Sequence, residues 1–326
     1  MPQLNLGGTS YQCNADESVL DALTRQGVSI PFSCRNGVCQ TCMMQSSAAN
    51  VPGAAQQGLK NTLQAQNFFL ACACHPTEDM RISLPDNANR LLPATVVAIR
   101  QLNDEILCVG LACPELTEYR AGQFINLYRE AGFSRSYSLA SVPADGYLRL
   151  HVRRLPDGRM SNWIHDQLKL GDNLQISAPI GSCFYLPGEI EQPLLLIGTG
   201  SGLAPLMGIL RDALNQAHRG PIHLYHGSRE AAGLYLVDEL REIENRYPNF
   251  HYTPCISSAA TTADYKIGRA VDVAYTAHPD LAGWRVYLCG NPDMVKAARK
   301  KAYLAKAAMQ DIYADAFIAA AAVSCS

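Results

Sequence analysis

Three cysteines in one short loop constrain the fold of this 326-residue chain more than any other feature. Cys34, Cys39 and Cys42 follow a C-x4-C-x2-C spacing, and a further cysteine, Cys72, comes later along the chain. Four thiolates can surround one small inorganic core only if the loop wraps closely around it, and Gly37 supplies the backbone freedom that this requires. The first part of the chain is therefore expected to fold around a metal centre.

The spacing of these cysteines distinguishes two kinds of metal site. Structural zinc sites usually take cysteines in C-x2–4-C pairs, whereas the spacing found here is that of a plant-type [2Fe–2S] cluster. We therefore predict iron–sulfur ligation by Cys34, Cys39, Cys42 and Cys72, with zinc as the alternative. Cys74 is the rival for the fourth ligand position, but strand alternation would direct it to the face opposite Cys72.

Composition narrows the class of protein further. Lys and Arg number 27 against 29 Asp and Glu, and this balance does not favour nucleic-acid binding. No run of apolar residues is long enough to predict a membrane span. Twelve cysteines in a chain that opens without a secretory pattern indicate metal ligands and buried thiols in a reducing compartment, so we expect a cytoplasmic protein. Separately, we expect a monomer.

The pattern of apolar residues divides the chain into three blocks, predicted as domains at residues 1–86, 94–188 and 189–326. The first combines a hairpin, a helix at Asp16–Gln26 and the cysteine loop, which predicts an α+β domain. The second consists of short β-like runs punctuated by Gly and Pro, which predicts a small antiparallel barrel. The third alternates apolar strands with amphipathic helices, which predicts a parallel α/β sheet. A linker is expected at Pro85–Pro93.

Two polar strings in the second block have the groups that a flavin dinucleotide needs. Such a ligand requires an aromatic wall and hydrogen-bond donors at its ring, with positive charge and a helix N-terminus at its pyrophosphate. An R-x-Y-S string on a strand and a G-x-x-S string at a helix start supply them, through Arg135, Tyr137, Ser138, Gly158, Met160 and Ser161. Because short strings recur by chance, a barrel strand with a surface arginine is the alternative.

A glycine-rich turn opens the third block, between a predicted strand and a predicted helix. Glycines let the backbone approach a pyrophosphate, and the helix N-terminus supplies N–H groups. The spacing differs from the G-x-G-x-x-G fingerprint of dinucleotide-binding folds, so a plain strand–turn–helix connection is the alternative. The residues predicted to bind a nucleotide here are Gly198, Thr199, Gly200, Gly202 and Pro205.

These strings together resemble the ferredoxin–NADP reductase superfamily. The cysteine loop and Leu70-Ala71-Cys72 resemble plant-type ferredoxins, which adopt a β-grasp fold. The R-x-Y-S and G-x-x-S strings resemble the six-stranded FAD barrel of the superfamily. The glycine turn resembles its G-T-G-x-G-x-A-P, and Cys289-Gly290-Asn291-Pro292 resembles its later C-G-x-P. The order of the three blocks resembles the single-chain reductases of bacterial aromatic-ring oxygenases.

The resemblance implies roles for residues near the C-terminus. Cys289, Gly290 and Pro292 would lie near the nicotinamide, with Cys289 beside the hydride path. Phe317 matches an aromatic residue that covers the flavin face until the nicotinamide displaces it. The alternatives are that Cys289 is the apolar end of a buried strand and that Phe317 packs within a final strand.

The choice between NADH and NADPH depends on Arg229. This arginine follows the second strand of the third block, where it could pair with a 2′-phosphate. The resemblance also implies a later Ser-Arg pair for that phosphate, and the matching positions here are Ser257 and Ser258. We therefore favour NADH.

The cofactors imply the reaction. NAD(P)H gives two electrons as hydride and the cluster accepts one at a time, so FAD converts between the two. The expected partner is an oxygenase or a ferredoxin that accepts electrons in a transient complex, with no nucleic acid and no membrane involved. The alternatives are a cytochrome P450, a diiron hydroxylase or a deoxysugar dehydratase as acceptor, or a redox sensor or carrier without turnover.

Overall fold

The computed structural model describes residues 1–32, 35, 37, 40, 42–48, 51–85, 91–116, 118–130, 133–258 and 264–317. The chain divides into two compact units, Met1–Arg90 and Leu91–Ser326. Within the described ranges, no helix has both the length and the apolar character needed to cross a membrane.

The first unit is a five-stranded mixed sheet covered by one helix, α1 (Val19–Arg25). The strand order is β2-β1-β5-β3-β4, in which β1 and β5 run parallel and the other neighbours run antiparallel. This arrangement fits the β-grasp fold that the resemblance implies. The strands are β1 (Gln3–Leu6), β2 (Thr9–Gln12), β3 (Met43–Ser46), β4 (Phe68–Leu70) and β5 (Met80–Ser83), and a short helix, α2, spans Asn61–Gln64.

Helix α1 is shorter than the predicted Asp16–Gln26. Its N-cap is Ser18, whose hydroxyl accepts a hydrogen bond from the backbone N–H of Asp21. Asp16 has a φ of 56°, which lies outside the helical region and keeps the helix from starting earlier. A side-chain cap therefore decides the boundary.

The second unit begins with a six-stranded antiparallel sheet that closes into a barrel. The order is β10-β7-β6-β11-β8-β9, and a bridge between Leu139 and Leu150 connects the two ends. Helix α3 (Arg159–Asp166) follows β10. The strands are β6 (Leu91–Asn103), β7 (Ile106–Ala112), β8 (Phe124–Glu130), β9 (Phe133–Ser138), β10 (Leu148–Arg153) and β11 (Asn173–Ser177).

The predicted linker Pro85–Pro93 is wrong at its C-terminal end. Strand β6 already begins at Leu91, and Pro93 lies within it, opposite Gln175 of β11. Pairing of β6 with β7 begins only at Thr95, so at Pro93 one side of the strand has no neighbour. A proline without an N–H is tolerated at such an edge position.

The second unit continues as a parallel sheet of six strands with helices on both faces. The order is β15-β14-β13-β12-β16-β17, and all neighbours run parallel. The strands are β12 (Leu194–Thr199), β13 (Ile222–Ser228), β14 (Phe250–Ile256), β15 (Lys266–Ile267), β16 (Arg285–Gly290) and β17 (Ile312–Ala316). The helices are α4 (Leu203–Asn215), α5 (Val237–Arg246), α6 (Ala270–Ala277) and α7 (Pro292–Leu304).

Alternate residues of the parallel strands fill two separate cores. Leu194 and Leu196 of β12 pack with the residues of α4, whereas Leu195 and Ile197 pack with those of α6 and α7. The strand order reverses between β12 and β16, and ligands of open α/β sheets bind at the carboxyl ends of strands at such a point. The glycine turn and the C-G-N-P string, which are predicted to lie at the nucleotide, both begin there.

Candidate cofactor sites

Two of the four predicted cluster ligands lie together at one end of a strand pair. Cys42 directly precedes β3, and Cys72 lies in a 3-10 turn, Ala71–Ala73, that directly follows β4. The backbone N–H of Ala71 donates to the carbonyl of Cys42 at 3.0 Å. Burial raises the pKa of the Cys42 thiol, the Cys72 backbone opposes this rise, and the Cys72 thiol adds to it. Cys34 and Cys39 lie outside the described residues.

The described positions of the cysteine loop have the backbone shape of a tight wrap. Arg35, Gly37 and Gln40 all have φ between 56° and 72°, in the left-handed region. A Cβ at Gly37 would lie 3.8 Å from the side chains of Leu70 and Ala73, so the loop packs against the turn that carries Cys72. Thiolates gathered by such a loop are the donors that an iron–sulfur cluster takes, so these residues fit the group.

Cys74 is directed into the core of the first unit. It is fully buried, its Sγ lies 3.9 Å from Sδ of Met80, and burial raises the pKa of its thiol to about 12. The strand alternation invoked to separate it from Cys72 is wrong, because these residues form a 3-10 turn and its flank. The turn separates the two thiols instead, with Cys72 half-buried and Cys74 inside.

The R-x-Y-S string occupies the last four residues of β9. Arg135 is exposed, its Nη1 donates to the carbonyl of Ser134 at 2.7 Å, and its guanidinium lies 4.8 Å from the ring centre of Phe133. The guanidinium of Arg159, at the start of α3, lies 4.4 Å from the same ring. The strand and the helix start therefore bring two cations together, as a pyrophosphate site requires.

The G-x-x-S string forms the start of α3, but its side chains are engaged within the protein. The hydroxyl of Ser161 donates to the carbonyl of Gly158 and accepts from the N–H of Leu155. A Cβ at Gly158 would lie 2.2 Å from Ser161 Oγ, so the turn requires glycine. Met160 is buried in the barrel core. These three residues therefore shape the helix start, whose backbone N–H groups are the ones available to an anion.

The glycine turn leads from β12 into α4 and packs against the C-G-N-P string. A Cβ at Gly202 would lie 2.2 Å from the carbonyl oxygen of Cys289, and one at Gly290 would lie 2.7 Å from that of Thr199. The N–H of Asn291 donates to Thr199 Oγ1 at 3.4 Å. Glycine at both positions therefore lets the two loops pack backbone against backbone. We call this pair of loops the cradle, whose backbone a pyrophosphate can approach closely.

The other residues of the two strings support this cradle. A Cβ at Gly198 would meet Leu206, and Gly200 has a φ of 54°. Pro205 lies in the first turn of α4, where a backbone N–H has no intrahelical acceptor. Pro292 opens α7 in the same way.

Cys289 lies in the sheet opposite Asp315, whose side chain reaches the end of strand β9. The hydroxyl of Ser138, the last residue of β9, donates to Asp315 Oδ2 at 2.9 Å. Burial raises the pKa of the Asp315 carboxyl, and the Ser138 hydrogen bond opposes this rise. Cys289 is fully buried, and its Sγ lies 3.8 Å from that of Cys183. The predicted flavin and nicotinamide strings therefore meet here.

Tyr137 and Phe317 flank this meeting point. Burial raises the pKa of the Tyr137 hydroxyl. Phe317 follows β17, is half-buried, and its N–H donates to the carbonyl of Gly290 at 2.8 Å. Its backbone thus continues the sheet pairing beside the C-G-N-P string.

Arg229 is exposed and lies beside the two serines that bear on coenzyme choice. The N–H of Ser258 donates to the carbonyl of Arg229 at 2.9 Å, and that of Ser257 donates to the carbonyl of Ser228. The residues predicted to bear on coenzyme choice are therefore neighbours at the carboxyl ends of β13 and β14.

Two polar residues at these sites were missed by the sequence reasoning. Asp315 stands two residues before Phe317 as an acid in an apolar strand, which is a signal that could have been used. Arg153 ends β10, pairs with Glu105 at 2.7 Å, and its Nη1 lies 3.5 Å from the position of a Cβ on Gly200. Only the packing of barrel against sheet brings Arg153 to the glycine turn.

Family models match three successive parts of the chain. A 2Fe-2S iron–sulfur cluster binding domain matches residues 4–77, and an oxidoreductase FAD-binding domain matches residues 93–185. An oxidoreductase NAD-binding domain matches residues 196–300. The order of the three is the one that the strings predicted.

Curated relatives and solved structures match nearly the whole chain. The reductase subunit of an aromatic O-demethylase from an Amycolatopsis species is 35% identical over 311 residues, covering 91% of this chain and 92% of that protein. The ferredoxin–NAD(P)+ reductase component of a naphthalene 1,2-dioxygenase system from Pseudomonas putida is 30% identical, covering 93% and 94%.

Among solved structures, a cytochrome P450 reductase from Amycolatopsis has a TM-score of 0.68 at 32% identity, covering 97% of this chain and 99% of that one. A ferredoxin reductase of carbazole 1,9a-dioxygenase has a TM-score of 0.65 at 27% identity, covering 97% and 98%. The similarity thus extends over both units.

Proposed function

Since this chain belongs to the single-chain reductases that join a plant-type ferredoxin domain to a ferredoxin–NADP reductase-like FAD and NAD module, we propose that it delivers electrons to an aromatic-ring dioxygenase. It is an NAD(P)H-dependent flavin iron–sulfur oxidoreductase with FAD and a [2Fe–2S] cluster as cofactors. FAD takes two electrons as hydride, and the cluster passes them on singly to an acceptor protein. The acceptor's identity is the proposed part.

The proposed hydride transfer is supported by the junction between the flavin and nicotinamide strings. The Ser138–Asp315 hydrogen bond joins the last residue of β9 to the strand beside Cys289. In the proposed site, Arg135 and Tyr137 contact the flavin, and the helix start at Gly158, Met160 and Ser161 binds its pyrophosphate. This junction supports direct hydride transfer between two bound cofactors.

On the nucleotide side, we propose that the cradle binds the pyrophosphate through backbone N–H groups and that Cys289 and Phe317 border the nicotinamide. The residues proposed for the cradle are Gly198, Thr199, Gly200, Gly202, Pro205, Gly290 and Pro292. We propose that NADH is the preferred coenzyme, because Arg229 is exposed and the neighbouring Ser258 supplies no second cation for a 2′-phosphate. The cluster is proposed to bind Cys34, Cys39, Cys42 and Cys72.

We also propose three functional domains with boundaries at 1–86, 94–188 and 189–326. This division is supported by three family models that match residues 4–77, 93–185 and 196–300, one within each proposed domain to within a residue. We propose further that the protein acts as a monomer in the cytoplasm and that its complexes with the acceptor are transient.

A cytochrome P450 is the second candidate acceptor. It is favoured by the cytochrome P450 reductase from Amycolatopsis, whose structure matches 97% of this chain at 32% identity. A Rieske-type dioxygenase is favoured by the naphthalene 1,2-dioxygenase relative.

The test compares the two acceptors directly. The purified reductase and NADH are mixed without oxygen with either a Rieske-type dioxygenase or a cytochrome P450 under carbon monoxide. We expect the Rieske absorbance to bleach faster than the P450 carbon monoxide band forms. Reduction of the P450 alone would overturn the proposal, and failure to reduce either would favour a diiron hydroxylase, a dehydratase or a sensor.

A further inference from the structure

A buried network of two histidines and two tyrosines lies beneath the glycine turn and joins it to the barrel. His226 of β13 pairs in register with Gly198, at the start of the turn. Its Nδ1 lies 3.3 Å from the hydroxyl of Tyr252. Tyr235, on the segment that follows β13, packs edge-on against the His226 ring with centroids 5.4 Å apart. This network has no part in the reaction as described above.

The same tyrosine reaches the flavin barrel. The Tyr235 hydroxyl lies 3.1 Å from Nδ1 of His151 on β10, and their rings meet edge-on at 5.4 Å. His151, Tyr235 and His226 are at most 7% exposed. The contact between Tyr235 and His151 therefore connects the segment after β13 to the barrel, below the glycine turn.

One atom of this network has no hydrogen-bond partner among the described residues. Nε2 of His226 is fully buried, and no described group lies within hydrogen-bonding geometry of it. Burial lowers the pKa of His226 to about 3, and the nearby backbone of Gly200 is the group that opposes this shift. Leaving a buried polar atom unpaired costs free energy, so such an atom calls for a structural or functional reason.

We propose that His226 is a positioning residue for the nicotinamide nucleotide: in the nucleotide-bound protein its Nε2 completes a hydrogen bond to the Gly200 backbone and fixes the pyrophosphate turn. This inference rests on the proposed assignment of that turn to the nucleotide. With Nε2–H as the donor, Nδ1 accepts from Tyr252, so one neutral tautomer satisfies both contacts. Tyr235 and His151 hold the ring from the barrel side.

The chain contains a matched control for this histidine. His218 is 4% exposed, its Nδ1 lies 3.2 Å from the hydroxyl of Tyr185, and its Nε2 also lacks a partner among the described residues. It lies just after α4, at the opposite end of that helix from the glycine turn. A loss of packing alone should affect both histidines alike.

The experiment measures KM and kcat for NADH with ferricyanide in His226→Phe, His226→Gln and His218→Phe, each with FAD and iron content verified. We expect His226→Phe to raise KM about 5- to 10-fold with kcat changed by less than about twofold, the effect of one lost hydrogen bond. His226→Gln, whose amide can reach the Nε2 position, should recover most of the affinity. His218→Phe should leave KM within about twofold of the original.

Two results would overturn the proposal: an unchanged KM in a fully loaded His226→Phe variant, or an equal rise in His218→Phe. If His226→Phe does not retain its cofactors, Tyr235→Phe decides, because it removes the hydroxyl that holds the network from the barrel side. An unchanged KM in that variant would count against the proposal. Gly202→Ala tests the assignment of the glycine turn to the nucleotide, on which this proposal rests. An unchanged KM in that variant would show that the turn does not bind the nucleotide.

Discussion

The hydroxyl of Ser138 donates a 2.9 Å hydrogen bond to Oδ2 of Asp315, although 177 positions separate the two residues in the sequence. Ser138 ends the strand that carries the R-x-Y-S string, and Asp315 lies opposite Cys289 in the parallel sheet. One hydrogen bond therefore fixes the edge where the flavin-binding and nicotinamide-binding parts of the second unit meet.

Ser138→Ala should slow the reduction of the flavin without releasing it. The substitution leaves the partly buried Asp315 carboxyl without its hydroxyl donor, and small errors in the alignment of two reactants slow their reaction strongly. We expect the rate of flavin bleaching at saturating NADH, measured by stopped-flow without oxygen, to fall about tenfold. Ser138→Thr, which keeps a hydroxyl, is the control, and an undiminished rate in Ser138→Ala would contradict the role.

Arg135→Ala should weaken the binding of FAD. Arg135 and Arg159 both lie against Phe133, so removing one guanidinium halves the positive charge at this position. A charge-assisted hydrogen bond of about 1.5–3 kcal/mol predicts a 10- to 150-fold rise in the Kd for FAD, measured by titrating the apoprotein. Arg129→Ala removes an arginine that lies against Trp163, and it should bind FAD normally. Tight FAD binding by Arg135→Ala would refute the assignment.

Arg229→Ala should change kcat/KM for NADH and NADPH about equally. Arg229 is exposed, the neighbouring Ser257 and Ser258 add no second cation, and water screens a single exposed charge. The natural protein should accordingly prefer NADH. A natural preference for NADPH above about tenfold, abolished by this one substitution, would reverse the assignment, since a buried phosphate contact is worth 10- to 150-fold.

The second unit should lose stability in mild acid through His223. This ring lies within 4.7 Å of those of His251 and His278, measured between centroids, and Trp284 lies beside it. Burial and the two neighbouring histidines lower the pKa of His223 to about 4. The unfolded chain therefore binds a proton first as the pH falls from about 6.5 to about 4, and the free energy of unfolding decreases across that window.

The size of this effect can be measured by thermal unfolding. The ring of His223 is partly exposed, so solvent screening reduces its contribution. Between pH 6.5 and pH 4, His223 should lower the free energy of unfolding by about 1–2 kcal/mol. His223→Gln should flatten the dependence of Tm on pH in this window, whereas His75→Gln, in the other unit, should not. If Tm depends equally steeply on pH in His223→Gln, the three packed histidines are not the cause of that dependence.

Much of the fold could be predicted because its signals are local. The spacing of the cysteines, the alternation of the barrel strands and the stripe along α4 each depend on neighbouring residues. Strands β3 and β4 were missed because each is very short and flanks a cysteine that is predicted to bind the cluster. Helix α6 was missed because its small and β-branched residues give no clear amphipathic period.

The sites were predicted less completely because their contacts join distant segments. The sequence predicted Ser138 as a flavin residue. The hydrogen bond from its hydroxyl to Asp315 could not be predicted, because it depends on how the barrel packs on the sheet. The same packing brings Arg153 and the His226 network to the glycine turn. Ser161 and Met160 have the predicted location but stabilise the start of α3, because a short string does not reveal which of its side chains face inward.

The central claim is that the flavin and the cluster act in series, with the cluster as the exit for electrons. The most direct test is the ratio of cytochrome c reduction to ferricyanide reduction in Cys42→Ser, with Cys74→Ser as the control. We predict that Cys42→Ser loses its iron and at least about tenfold of its cytochrome c activity while ferricyanide reduction stays within about twofold, and that Cys74→Ser keeps both. Undiminished cytochrome c reduction by iron-free Cys42→Ser would contradict the account.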